Sequence, residues 1–267
     1  MNIEQNFHSL PFWALFFLTI LIVLAAVGAG FWYGSFRRKK KVYKEDASVG
    51  TLVAAMLGLL AFIMAFTFGM SGSYFEARRM VVLKESNAIG TAYLRTDFIP
   101  EPERTNARRL LREYVDIRVD ALSKGKMKEA IERSEKLLEE LWSQVSAFSG
   151  KITPTPLTGL FVQALNDVID AHSERLLEGV HKYIPAVVWV MLYFVTFFSM
   201  LAVGYQLGLN GMRNKFAAFV LALTFSAVMV LIADLDNPGR GMIKTSQWSM
   251  LELQKKLNAG ADSPQNK

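Results

Sequence analysis

The 267-residue chain has no cysteine and only three histidines. The first absence excludes disulfides, thiol nucleophiles and metal sites built on thiolates, and leaves the compartment open. The histidines make no HExxH or equivalent motif. His8 lies in the N-terminal arm and His181 adjoins Lys182. On a helix, His172 does not share the face that carries Asp170 and Glu174. No alternating strand pattern of useful length occurs, and no internal repeat. No nucleophile–base pair converges, so no enzyme and no cofactor is expected. The decisive absence is of charge. Asp, Glu, Lys, Arg and His are missing from 11–33, 49–71, 186–209 and 216–233.

Each of those runs has about the 18 or more residues needed to cross a hydrocarbon core of roughly 30 Å. A soluble domain of this size has no use for four of them. The expected fold is all-α, a polytopic membrane protein with four transmembrane helices and a helical bundle between the second and third. Residues 1–73 form one transmembrane hairpin and 184–234 another. Residues 74–183 form a charged helical subdomain, and 235–267 a tail. Residues 1–10 carry no Lys or Arg, and the next apolar run ends in bulky residues, so a cleaved signal is not expected. Trp13 at one end of that run and Phe31, Trp32 and Tyr33 at the other suit two interfacial belts.

Charged residues make up 20% of a chain that is 52% hydrophobic, so charge is segregated. The net charge of +6 is better explained by the membrane than by nucleic acid. Arg37, Arg38, Lys39, Lys40, Lys41 and Lys44 follow the first span directly. Such clusters set topology and attract anionic headgroups, so the bilayer is the expected partner. With Arg213 and Lys215 in the other short loop, the positive-inside rule puts residues 34–48 in the cytoplasm of a cell (inner) membrane protein. Residues 74–183 then lie outside.

Between the hairpins the pattern is helical throughout. The second span runs on without a breaker until Pro100 and Pro102. Pro102 and Glu103 suit a helix first turn. Leu110, Leu111, Tyr114, Ile117 and Ala121 make one amphipathic stripe. Ile131, Leu137, Leu138, Leu141, Val145 and Phe148 make another, and a last helix spans roughly 157–183. The stripes bury against one another as a bundle or against neighbouring subunits. Ile243, Trp248, Leu251 and Leu253 suggest a short tail helix, with disorder expected over 259–267.

The second span carries two distinctive sets. Ala54, Gly58, Ala61, Ala65, Gly69 and Gly72 recur every three or four residues as a small-residue face. Such faces let helices approach closely in lipid, within one subunit or across subunits. Ala26, Gly30 and Gly34 repeat the spacing in the first span. Leu59, Ile63, Phe66 and Met70, with Leu52, form a bulky face. It meets lipid, or it points at a symmetry axis as a constriction that gates by dewetting. No intramembrane charge marks an ion relay. After the fourth span, Asp234, Asp236 and Arg240 stand in a turn-rich segment. They offer a helix stop, a cation site, or an Asp236–Arg240 lock on the tail.

Three segments carry a family resemblance. EARRMVVLKESNAIGTAYLR continues the second span, PEPERTNARRLLREYVDIR follows, and LIADLDNPGRG closes the fourth. In these, and in the four-span layout, the chain resembles the bacterial bestrophin-like membrane proteins. True bestrophins are pentameric ion channels whose second helix lines a hydrophobic neck. The resemblance therefore implies a homo-oligomeric channel passing ions, with Leu59, Ile63, Phe66 and Met70 at its neck. It also implies a cytosolic helical region, against the charge rule. The chain lacks the run of consecutive acids that a bestrophin calcium clasp needs. The alternative expectation is a non-conducting, membrane-anchored helical scaffold or signalling module.

Overall fold

The computed structural model describes residues 11–40, 47–123, 127–149, 155–211, 215–237 and 242–261. Eight α-helices account for nearly all of them. They are α1 (Phe12–Lys39), α2 (Ala47–Arg95), α3 (Glu103–Ser123), α4 (Met127–Ser149), α5 (Pro156–Leu176), α6 (Ala186–Asn210), α7 (Lys215–Asp236) and α8 (Trp248–Ala261). Four are long and apolar enough to cross a membrane: α1, α2, α6 and α7. They are the four spans read from the missing charge. The chain divides into two compact units, 1–75 with 183–244, and 76–182 with 245–267.

The first unit contains α1, the start of α2, α6 and α7. Its core gathers Val23, Ala26, Leu60, Met64, Trp189, Leu192, Met200, Ala222 and Met229. Glycine sets the α1–α6 contact. A Cβ on Gly30 would overlap the Leu201 carbonyl oxygen, and one on Gly34 the Tyr205 carbonyl oxygen. Reciprocally, a Cβ on Gly204 would strike the Val27 backbone, and one on Gly208 the Phe31 and Ser35 backbone. Two small-xxx-small pairs thus interlock, so that van der Waals contact replaces the hydrophobic drive that lipid cannot supply. Buried hydroxyls other than Ser226 Oγ find partners, as a water-free setting demands. Thr19, Thr67 and Thr196 donate to carbonyls one turn back. Ser71 Oγ donates to the Ile232 carbonyl at 2.8 Å, tying α2 to α7.

The second unit is a helical bundle of the later part of α2 with α3, α4, α5 and α8. Ile89, Leu110, Leu111, Tyr114, Leu137, Leu141, Phe161, Leu165 and Val168 form its core, joined by Met250 and Leu257. At the start of α5, Thr155 and Thr158 form a reciprocal capping box around Pro156 at the first helical position. Two boundaries differ from expectation. The helix expected over 157–183 ends at Leu176, followed by one π turn, Leu177–His181. Pro185 lies just beyond and disfavours helix in the residue before it. The tail helix starts later and runs longer than expected, to Ala261, so 259–261 are helical. Burial of Met250 and Leu257 at helical spacing holds its later turns.

Candidate functional site

Within the first unit α2 shows three distinct faces. Val53, Leu60, Met64, Thr67 and Ser71 are buried and recur at helical spacing. The small-residue face is not there. Ala54, Gly58, Ala61, Ala65 and Gly69 are exposed and Gly72 is half-buried. A Cβ built on Gly58, Gly69 or Gly72 meets nothing within 4 Å. In the protomer this face is open. The side that α2 turns inward is the one carrying Val53, Leu60, Met64, Thr67 and Ser71. The small-residue contacts of the protomer belong to α1 and α6.

The bulky face is the third. Leu59 is 52% and Phe66 65% exposed. Ile63 and Met70 are half-buried against the core of the unit. Ile63 and Phe66, with Phe62, Thr67, Val187, Val188 and Met191, line an apolar groove of about 210 Å³. At 100° per residue the bulky and small faces stand roughly 120° apart, not opposite each other. The buried face occupies the remaining side. A helix packed on one side of three has two left for neighbours, lipid or a pore axis.

At the end of α7, Asp234 and Asp236 are both about 1% exposed. Asp234 accepts the Met242 amide at 2.7 Å and the Ile243 amide at 3.0 Å, one on each oxygen. Asp236 accepts the Ile184 amide at 2.9 Å. These carboxylates hold backbone amides, and Asp234 fixes the chain as it leaves the helix. Arg240, the other half of the Asp236–Arg240 lock, lies outside the described residues. Among the described residues no group of three or more His, Asp or Glu side chains could hold a metal ion.

The second unit contains a buried polar centre that the sequence reading missed. Glu85 of α2 is fully buried. Arg175 of α5 donates to its Oε2, and Arg118 of α3 lies 3.3 Å from its Oε1. Tyr114 Oη donates to the same Oε1 at 2.6 Å and lies 2.8 Å from His172 Nδ1. Arg175 also reaches Gln247 Oε1 at 2.9 Å, just before α8. One carboxylate thus gathers α2, α3, α5 and the approach to α8. A signal did exist: Arg118 continues the Leu111–Tyr114 stripe, and His172 and Arg175 continue the Phe161–Val168 stripe. Charge placed on an apolar stripe marks a buried polar site.

His172 is neutral there. Burial and the neighbouring Arg118 lower its pKa to about 4. Burial, then Glu85, raises the Tyr114 pKa well above its usual value. The unfolded chain has an ordinary His172, so between pH 6.5 and 4 it binds more protons than the folded one. Stability is fully present above pH 6.5 and falls as pH drops through that window, by up to roughly 3 kcal/mol. Thermal unfolding followed from pH 7.5 to 4.5 should show this slope, and His172→Leu should flatten it. An unchanged slope in that variant would remove His172 as the cause.

The chain matches the bestrophin-like domain family over residues 4–250. No curated protein matches the sequence. Two crystal structures of single-site variants of a bacterial bestrophin homologue from Klebsiella pneumoniae are similar, each at 13% identity. One has a TM-score of 0.64, covering 94% of this chain and 99% of that one. The other has a TM-score of 0.63, covering 93% and 98%. A crystal structure of a variant membrane protein is similar at 12% identity with a TM-score of 0.65, covering 94% and 99%. Such low identities speak for the fold alone. Four spans, a helical bundle drawn from both sides of the second hairpin, and a family match over nearly the whole length agree: the protein is an integral membrane protein of the bestrophin-like family.

Proposed function

We propose that the chain is one subunit of a homo-oligomeric ion channel whose hydrophobic neck is the bulky face of α2. The observation that carries this is the exposure of Leu59 and Phe66 on a helix whose core-facing side is already filled. Rings of such side chains around an axis exclude water when narrow and gate by dewetting. Ile63 and Met70 sit at the edge of the same face and complete the neck. The open small-residue face, Ala54 to Gly72, is the contact between neighbouring copies, where glycine and alanine permit close approach.

Flux through liposomes tests the reading. Phe66→Ala shortens every side chain of its ring, so basal ion flux should rise several-fold over wild type. Leu52→Ala, near the start of α2, should change it little. Wild-type flux unaffected by both Ile63→Ala and Phe66→Ala would keep the channel and reject this face as its gate. No flux from either protein would favour the scaffold or signalling reading.

For orientation we infer that the basic loop, 34–48, is cytoplasmic in the inner membrane. The natural absence of cysteine makes this simple to test. Lys128, whose side chain is 92% exposed, would then be extracytoplasmic. Lys128→Cys should react with an impermeant maleimide in intact cells. Labelling only after permeabilisation would reverse the orientation.

A further inference from the structure

The end of the first unit that carries the basic cluster also carries an apolar groove. Gly30 and Tyr33 of α1, Met56 of α2 and Phe198, Leu201, Ala202 and Tyr205 of α6 line about 360 Å³. Among the described residues no charged side chain lines it. From Phe198 to Tyr205 it follows two turns of α6, about 10 Å. The Tyr33 and Tyr205 rings stack at 5.6 Å beside it. One helical turn beyond Tyr33 the character changes abruptly. Arg37, Arg38 and Lys39 form the last turn of α1, and Lys40 follows.

All four basic side chains are exposed. No carboxylate among the described residues neutralises them. Arg37 shares a helix face with Gly30 and Tyr33, by the spacings of three, four and seven. The Arg38 guanidinium lies over Gly211, the α6 cap, whose φ of 71° is the left-handed conformation that ends that helix. Lys40 stands 4.5 Å above the Phe36 ring. Exposed Trp32, Tyr33 and Phe36 surround this end of α1, as suits the headgroup level.

We propose that this is a binding site for one anionic phospholipid, with an acyl chain in the groove and the phosphodiester headgroup on Arg37, Arg38, Lys39 and Lys40. Charge complementarity selects the occupant. The apolar channel takes methylenes, and among the described residues no carboxylate pairs with the cations at its mouth. A zwitterionic lipid would fill the groove equally well but gain less from the cluster. Each basic side chain close to an anionic surface contributes about fivefold in affinity.

The full-length protein, purified in neutral detergent and stripped of lipid, is offered dioleoyl phosphatidylglycerol, dioleoyl phosphatidylcholine or glycerol 3-phosphate, and bound lipid is counted by native mass spectrometry. One phosphatidylglycerol per chain should be retained, at least tenfold in preference to phosphatidylcholine. Ala202→Phe fills the groove and should lower retention of both lipids at least fivefold. If that variant does not fold, Met56→Phe narrows the same groove from α2. The combined change R37Q/K39Q/K40Q should abolish the preference while phosphatidylcholine is still retained. Equal retention of the two lipids by the wild type overturns the proposal. So does displacement of phosphatidylglycerol by glycerol 3-phosphate alone, which would mean a phosphate site without a chain. Retention unchanged in both groove variants also overturns it. A wild type that holds no lipid, together with an oligomer broken by Ala202→Phe, would identify a second copy as the occupant instead.

Discussion

Glu85→Ala should destabilise the helical unit by about 3–5 kcal/mol, the usual effect of breaking a buried ion pair from one side. The substitution leaves Arg118 and Arg175 buried with no carboxylate between them, and removes the acceptor of the Tyr114 hydroxyl. Desolvated guanidiniums have no means of shedding charge, so the unit must open or admit water. Thermal melting by circular dichroism and the rate of limited proteolysis within residues 76–182 would both report it. Replacing all three charges together, as Glu85→Leu with Arg118→Met and Arg175→Met, should recover most of the loss, because an apolar core of similar volume carries no desolvation penalty. A melting temperature unchanged in Glu85→Ala would mean that water already reaches the cluster.

The second large effect is expected at Gly204. Gly204→Val drives a branched side chain into the Val27 backbone of α1. Backbone cannot swing aside as a side chain can, so the α1–α6 crossing must separate. A loss of about 3 kcal/mol or more is expected, seen as failure to recover folded protein from detergent. Gly58→Ala is the contrast. With nothing within 4 Å of its Cβ, it should leave melting of the protomer within about 0.5 kcal/mol of wild type. Gly58→Leu should spare the protomer too, yet lower the mass of the assembly, if the open face of α2 meets another copy. An assembly of unchanged mass would assign that face to lipid.

Gly58 and Gly204 explain why the sequence was only partly legible. The spans were plain, because four charge-free runs leave a chain few choices in lipid. The course of α2 past residue 74 was also readable, since no breaker precedes Pro100. The use of a small-residue stripe was not. Its spacing says that close approach is possible, and the choice between the two stripes depends on which helices the topology brings side by side. Here the Gly30–Gly34 pair meets Gly204–Gly208, and the longer stripe of α2 stays open. The buried centre was hidden for a related reason. Glu85 stands 90 residues from Arg175 in the chain, and the 3.6 periodicity of either helix alone shows only a charge on an apolar face. Asp234 was read as part of a helix stop, a cation site or a tail lock, and no spacing in the sequence pointed to its amide partners, Met242 and Ile243.

The place of α8 orders the birth of the protein. Met250 and Leu257 belong to the core of a bundle whose other helices are synthesised far earlier. Two apolar helices, α6 and α7, leave the ribosome between α5 and α8. The bundle therefore waits, its α8 side uncovered, until both later helices have been handed to the insertion machinery. Completion of the bundle reports that α7 has been made, and a nascent chain stalled before α8 would present an apolar surface to chaperones and proteases.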